Sequence, residues 1–285
     1  MKHARIVVNG QAVSGVVEGD AITLVNGETV AVAAAEFLPP MVPRQIVATH
    51  LSYRSRCEEY RMASPPAYPS YFMKPLGAVS RHKATVARPR GCRFLNYEGE
   101  IAAVIGRTCS NVPVEQALGR VKGYTIANDW GVHDFRHADR GSMFRVKGED
   151  GFCPLGPFLV DAADVDVTNL WLRTYVNGAR VQEAHTGKDM IFSIAYQIAD
   201  ISRLITLEEN DVLLTGTPAN SRPVAPGDIV AVEVSGLGRL ENRVVELDRE
   251  LVRVGDQPRV TEQTLHVALA MPEDEAREKA LAYGN

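Results

Sequence analysis

Glu98 and Glu100 stand two residues apart in the stretch NYEGEIAAVIG, residues 96–106. The apolar run 101–105 that follows reads as a buried strand closed by Gly106. Side chains two apart on a strand share a face, so the two carboxylates lie side by side at its mouth. Like charges this close repel, and burying each ion costs several kcal/mol unless something compensates. A third acid, Asp129, ends the apolar run in KGYTIANDWGVHDF, residues 122–135. Three carboxylates with no local basic partner suit Mg²⁺ or Mn²⁺, because Zn²⁺ prefers His and Cys. Spacing alone leaves two answers open, a bound divalent cation or a salt bridge to Lys or Arg.

The scaffold for these acids reads as mainly β with some α, an α+β chain. Its 285 residues are 45% apolar and 23% charged, enough for one large soluble domain with a small appendage. A net charge of −4 without a Lys/Arg block argues against nucleic acid or an anionic membrane as partner. No apolar stretch is long enough to span a bilayer. The opening MKHARIVVNG has no h-region or cleavage site, so a cytoplasmic protein is expected. The four cysteines form no CxxC and read as reduced packing residues. Residues 1–44 read as a small β-rich domain and linker, with Asn9-Gly10 and Asn26-Gly27 as type I′ turns and LPPMVPR (38–44) as a stiff connection. Residues 45–248 form the main domain. Within it, 228–246 looks like a hairpin turning at 236–238. The spacing of Ile191, Ile194, Ala195, Ile198, Ile201, Ser202, Leu204 and Ile205 predicts a helix ending near Thr206. Residues 249–285 are a C-terminal extension, with a terminal helix in PEDEAREKALAYG (272–284) that starts at Pro and ends at Gly.

The motifs YFMKP (71–75), NYEGEIAAVIG, GYTIANDWGVHDF, KGEDGFCPLGPFLV (147–160), LLTGTPA (213–219) and PGDIVAVEVSGLGRLENRVVE (226–246) occur in a recognisable order. Over roughly residues 45–247 the chain resembles the fumarylacetoacetate hydrolase family. The resemblance implies a mixed, strongly curved β-sheet roll, a homodimer, and Mg²⁺ or Mn²⁺ held by Glu98, Glu100 and Asp129. It implies that Lys147 stabilises negative charge on the substrate and that Thr217 donates its hydroxyl to a substrate carboxylate. Lys74 is a second basic candidate near the site, and Arg136 a weaker substrate-side one. The substrate class is a small 2-oxo acid. A cation that stabilises an enolate serves C–C hydrolysis, decarboxylation and tautomerisation alike.

One departure separates these reactions. Hydrolases of the family carry a lid of the form N-Y-x-x-H-x-x-E, whose His and Glu activate water. Here the stretch is SYRSRCEE, residues 52–59, with Ser52 for Asn and Arg56 for His. Arginine stays protonated and is no general base. The chain therefore resembles the isomerase/decarboxylase branch of 4-hydroxyphenylacetate (homoprotocatechuate) breakdown, which also lacks this His. The expected enzyme is a metal-dependent isomerase/decarboxylase of 2-oxo or 2-hydroxydienoic di- and tricarboxylates, working through an enolate. Glu59 remains as a lid base, and Arg56 suits a distal carboxylate. His133 stands where the family usually has Arg, as a base, a substrate donor or a core residue. The alternative is an acylpyruvate or fumarylpyruvate C–C hydrolase that recruits another base, with oxaloacetate decarboxylation compatible with either. The charged run Asp134, Arg136, Asp139 and Arg140 reads as a solvated, mutually paired face. The absence of a GxSxG elbow, a P-loop or a Rossmann fingerprint argues against a Ser-His-Asp hydrolase or a nucleotide enzyme.

Overall fold

Strand Gly99–Ile105 is buried along its whole length, as an apolar run without polar alternation must be. In the computed structural model, which describes residues 1–139 and 141–283, it lies antiparallel to Val121–Asn128 and to Val212–Leu214. Beyond Val212–Leu214 come Ile46–His50, parallel to it, and then Ser70–Lys74. These strands belong to a 13-stranded sheet. A five-stranded sheet faces it, in the order Ala179–His185, Trp171–Val176, Ile229–Val234, Gly238–Glu246, Thr85–Arg88. The period of two is visible in the core. Ile101, Ala103 and Ile105 pack with Leu172, Val232 and Leu240 between the sheets. Ala102 and Val104 turn the other way, into a cluster with Trp130 and Leu214. The fold is the sheet-dominated one that the sequence and the resemblance imply, with few helices.

The hairpin read at 228–246 forms as Ile229–Val234 and Gly238–Glu246, with Gly236 and Gly238 at φ +77° and +121°. Asn9 and Gly10 both take positive φ, 52° and 78°, as a type I′ turn requires. At Asn26-Gly27 only Gly27 does, at 86°, and the loop between Ala21–Leu24 and Thr29–Ala31 is longer than a two-residue turn. The first strand, Lys2–Val8, also pairs with Phe158–Asp161, so the N-terminal hairpins extend the main sheet. Phe158 closes a small core there with Ile6, Ile22 and Phe37. Met41, in the stretch read as a linker, is buried in the main core.

Helix Ile194–Leu204 starts at Ser193, whose hydroxyl accepts from the Tyr196 amide at 3.2 Å. It buries Ile194, Ile198 and Ile201, but Leu204 is exposed, so the buried stripe ends a turn before the sequence pattern does. The C-terminal extension holds two helices. Glu262–Leu269, capped reciprocally by Thr261 and Thr264, was not legible as a helix, while Glu273–Leu281 matches the expected one. Gly284, read as its stop, lies outside the described residues. All four cysteines are free and buried, as packing residues should be.

Gly99 marks a close approach of the two sheets. A Cβ there would collide with Thr174 Oγ1 and come within 3.0 Å of Val232. Overpacking a tight core costs about 1–3 kcal/mol, so Gly99→Ala is expected to lower the thermal midpoint by about 2–8 °C. Scanning calorimetry checks this, and an unchanged midpoint would mean that the sheets part here without cost.

Candidate active site

The acids meet because two neighbouring strands begin and end together. Glu98 precedes Gly99–Ile105, Glu100 is its second residue, and Asp129 follows Val121–Asn128. Gly99 pairs with Asn128, which sets Asp129 beside Glu98. The Asp129 amide donates to the Glu98 carbonyl at 2.8 Å, and the Glu98 amide donates to Asn128 Oδ1 at 2.8 Å. One oxygen from each of Glu98, Glu100 and Asp129 lies within 4.8 Å of the others. The three residues are only 9%, 2% and 2% exposed.

The trio has no basic neighbour in the local sequence, but the fold brings three to it. Lys147 Nζ donates to Glu98 Oε2 at 2.6 Å and sits 2.9 Å from Asp129 Oδ2. Lys74 Nζ donates to Asp129 Oδ1 at 2.6 Å and to the Lys147 carbonyl at 2.7 Å. Arg56 Nη2 reaches Glu98 Oε1 at 3.3 Å. Lys74 ends strand Ser70–Lys74, Lys147 ends the short helix Phe144–Lys147, and Arg56 lies in helix Arg54–Glu59. No local window of sequence shows cations that arrive from three separate elements.

Glu100 is the acid they leave over. It makes no ion pair among the described residues, and its carboxylate accepts from the Gly216 amide at 2.7 Å. Burial, with Asp129 and Glu98 beside it, pushes the Glu100 carboxyl well above the ordinary range. Burial pushes Asp129 the same way, but Lys147 and Lys74 outweigh it and hold that carboxyl below its ordinary value. Burial alone would lower Lys147, yet Asp129 and Glu98 keep it firmly charged. The Tyr53 hydroxyl is buried without a partner among the described residues, and Glu100 adds to the burial that raises it. Three buried hard oxygen donors, one without a counter-charge, fit Mg²⁺ or Mn²⁺.

The trio lines a cleft of about 540 Å³, together with Lys147, Thr217, His133, Arg136 and Arg56. Thr217 Oγ1 accepts from Gln182 Nε2 at 3.1 Å. Arg136 makes no ion pair among the described residues and donates to Met143 Sδ at 2.9 Å. His133 is 1% exposed, and neither ring nitrogen has a partner among the described residues. Burial first, then Arg136, Lys147 and Arg56, push it far below the usual histidine range, so the imidazole is neutral. His50, also on the wall, is pushed down to about 4 by burial, then by Arg136 and Lys147. Lys74 and Glu59 are not on the wall. Lys74 is buried behind Asp129. The Glu59 carboxylate takes Arg56 at 2.7 Å, Arg222 at 2.6 Å and the Asn220 amide at 3.0 Å. Arg54 is exposed, whereas Arg56 is buried.

The charged run after Asp129 is not a solvated face. Asp134 accepts from the Arg93 and Phe94 amides at 3.0 and 2.9 Å, and Asp139 from the Arg145 and Val146 amides at 3.0 and 2.9 Å. Both aspartates are buried and fix the turns that carry His133, Arg136 and Lys147. Arg140 lies outside the described residues. Trp130 is fully buried packing. Sequence reasoning missed Gln182, which also accepts from the Gly99 amide at 3.3 Å and so ties Thr217 to the start of the acid strand. It missed Gly131 too. A Cβ there would lie 3.0 Å from Lys147 Cε, so any larger residue would press on that lysine.

Comparison with known proteins agrees with this geometry. The family described as fumarylacetoacetate (FAA) hydrolase C-terminal matches residues 45–245. The chain is 39% identical over 201 residues to the 4-hydroxyphenylacetate degradation bifunctional isomerase/decarboxylase of Salmonella dublin, which is 70% of this chain and 46% of that protein. It thus spans about half the length of that relative. Among solved structures, 5-carboxymethyl-2-hydroxymuconate delta-isomerase from Mycobacterium smegmatis superposes with a TM-score of 0.79 at 33% identity, covering 87% of this chain and all of that one. Maleylpyruvate hydrolase from Sphingobium sp. SYK-6, solved with manganese(II) and pyruvate, superposes at 0.74 with 26% identity over 86% of this chain and 99% of that one. The acid trio, its strand framework and the extent of these matches agree: the chain belongs to the fumarylacetoacetate hydrolase family of enzymes.

Proposed function

We propose that this protein is a divalent-metal-dependent isomerase/decarboxylase of 2-oxo or 2-hydroxydienoic di- and tricarboxylates from aromatic catabolism. One observation carries the reading. Arg56 fills the lid place where a hydrolase needs a histidine, and it is held there between Glu59 and Glu98. A guanidinium cannot take a proton from water near neutral pH. The names of the Salmonella and Mycobacterium relatives support the same branch. A cytoplasmic homodimer divided at 1–44, 45–248 and 249–285 belongs to this proposal; among the described residues no helix is long and apolar enough to cross a membrane.

Glu98, Glu100 and Asp129 would hold Mg²⁺ or Mn²⁺, which would supply Lewis-acid stabilisation of the negative charge that develops in both decarboxylation and isomerisation. The side chains do the rest. Lys147 places a charged donor where negative charge develops. Gln182 donates to Thr217 Oγ1, which leaves the threonine hydrogen free for a substrate carboxylate. Arg136, without an acid of its own, and Arg56 receive the distal carboxylate. Neutral His133 accepts a proton on one nitrogen and gives one from the other, which moves a proton between carbons. Glu59, engaged by two arginines, holds Arg56 in place. Lys74 supports Asp129 and Lys147 from behind. A second reading, C–C hydrolysis, is favoured by one feature only: His133 is an unpartnered imidazole on the wall of the same cleft.

Calorimetric titration of metal-free protein with Mn²⁺ tests the trio. Glu98→Ala and Asp129→Ala are each expected to weaken binding by about 100-fold, and unchanged binding in both would refute the assignment. Stability gives an independent check. Above the ordinary glutamate value of 4.5, the folded protein keeps on Glu100 a proton that the unfolded chain releases. This contribution is full below that value and is lost as pH rises through the raised one, so metal-free stability falls in that window. Asp129 acts oppositely and lower, losing its contribution as pH drops through its depressed value. Denaturant unfolding across pH is expected to show the alkaline-side loss in wild type and not in Glu100→Gln. A mass-resolved product assay on Mn²⁺-loaded protein separates the reactions. Carbon dioxide loss or double-bond migration is expected with a 5-carboxymethyl-2-oxohex-3-enedioate-type tricarboxylate, and no pyruvate from an acylpyruvate. Pyruvate release would favour the hydrolase reading and the His133→Ala variant would then abolish it. Lys147→Ala is expected to lower kcat by about 100-fold while Mn²⁺ still binds.

A further inference from the structure

The family match ends at residue 245, yet the chain beyond it builds one side of the cleft. Helices Glu262–Leu269 and Glu273–Leu281 form a hairpin around Leu265, Ala268, Met271 and Ala276, which docks on Phe94. Asn96 Nδ2 donates to the Ala268 carbonyl at 2.9 Å, and the Arg259 amide to the Asp134 carbonyl at 3.0 Å. The hairpin is therefore anchored to the segment leading into Glu98 and to the turn carrying His133. From that anchorage His266, Val267 and Glu273 face the cleft.

The hairpin also grips the lid helix. Tyr60, just after Arg54–Glu59, donates its hydroxyl to the Val267 carbonyl at 3.2 Å. Its ring centroid lies 5.4 Å from that of His266, and the Arg56 guanidinium sits 4.7 Å from the same ring. One line of contacts thus runs from the hairpin through Tyr60 and Arg56 to Glu98. His266 itself is fixed, with Nδ1 donating to the Met271 carbonyl at 2.7 Å. A ring pinned at one nitrogen on the cleft wall limits the room beyond Arg56.

We propose that the C-terminal hairpin is the specificity wall of this site: Tyr60 positions Arg56 over the acids, and His266 limits the length of the 2-oxo acid admitted. The proposal rests on the reading that a 2-oxo carboxylate binds at the trio. It names a determinant that lies outside the matched family region, in this chain's own extension.

The test uses full-length Mn²⁺-loaded protein and two probes titrated by calorimetry, oxalate and 2-oxosebacate, whose ten-carbon chain exceeds the hexenedioate chain of the proposed substrate. His266→Ala is expected to leave oxalate affinity unchanged and to tighten 2-oxosebacate binding by about fivefold or more, the scale on which a pocket discriminates chain length. Tyr60→Leu is expected to lower amide-exchange protection across residues 54–59 by about tenfold. Tyr60→Phe, which keeps the ring against Arg56, is expected to restore most of that protection. A purely structural role would move both probes together. Equal changes for the two probes, with protection at 54–59 unaltered in Tyr60→Leu, would overturn the proposal. If the wild-type protein binds neither probe, the 2-oxo acid reading fails and the length-limiting claim falls with it, while the exchange measurement still decides whether Tyr60 holds the lid.

Discussion

The site is governed by the burial of three carboxylates within 4.8 Å of one another. Such a cluster cannot stand on Coulomb repulsion and desolvation alone; each ion needs a partner in a place where water does not reach. Two lysines and an arginine meet most of that demand, bridging Glu98 and Asp129 at 2.6–3.3 Å. They do not reach Glu100, whose carboxylate has a backbone amide for company and two acids for neighbours. Glu100 is thus left without a cation of its own beside two other carboxylates, and that is the physical basis for reading the cluster as a cation site.

Bringing so many charged groups to one point restricts the backbone around them. Gly99, Gly131 and Gly216 each sit where a Cβ would strike a neighbour: Thr174, Lys147 and Ser52 respectively. Gly216 also holds φ +91°, which turns its amide onto Glu100. Asp134 and Asp139 look like surface charge in the sequence but spend their carboxylates on backbone amides of the loops carrying His133 and Lys147. The charged side chains near the cleft therefore divide into those that could meet a ligand and those that hold the others still. Lys74 and Glu59 belong to the second kind.

That division explains which features the sequence revealed. The acid trio was legible because strand pairing is local: a buried run, alternate residues on one face, and an Asp at the end of the next apolar run. The hairpin at 228–246 and the body of helix Ile194–Leu204 were legible for the same reason, although the apolar stripe began at Ile191, before the helix does. The cations were not, because Lys74, Lys147 and Arg56 converge only through tertiary packing. The roles of Asp134 and Asp139 were hidden by their neighbours in the sequence, which made a charged run look solvated. Gln182 and the helix Glu262–Leu269 carry weak local signals, and their importance comes from what they touch across the fold.

Arg56 shows why the lid and the chemistry are linked. A guanidinium only 4% exposed needs partners for its charge, and here Glu59, Glu98 and the Tyr60 ring supply them. Glu59 is fixed in turn by Arg222, and Tyr60 by the C-terminal hairpin. Replacing an imidazole by arginine at this place therefore does more than remove a base. It brings in a network that ties helix Arg54–Glu59 to Glu98, to Arg222 and to the C-terminal hairpin. Movement of a proton within a bound carbon skeleton needs no activated water, so chemistry of that kind does not require a general base at this place.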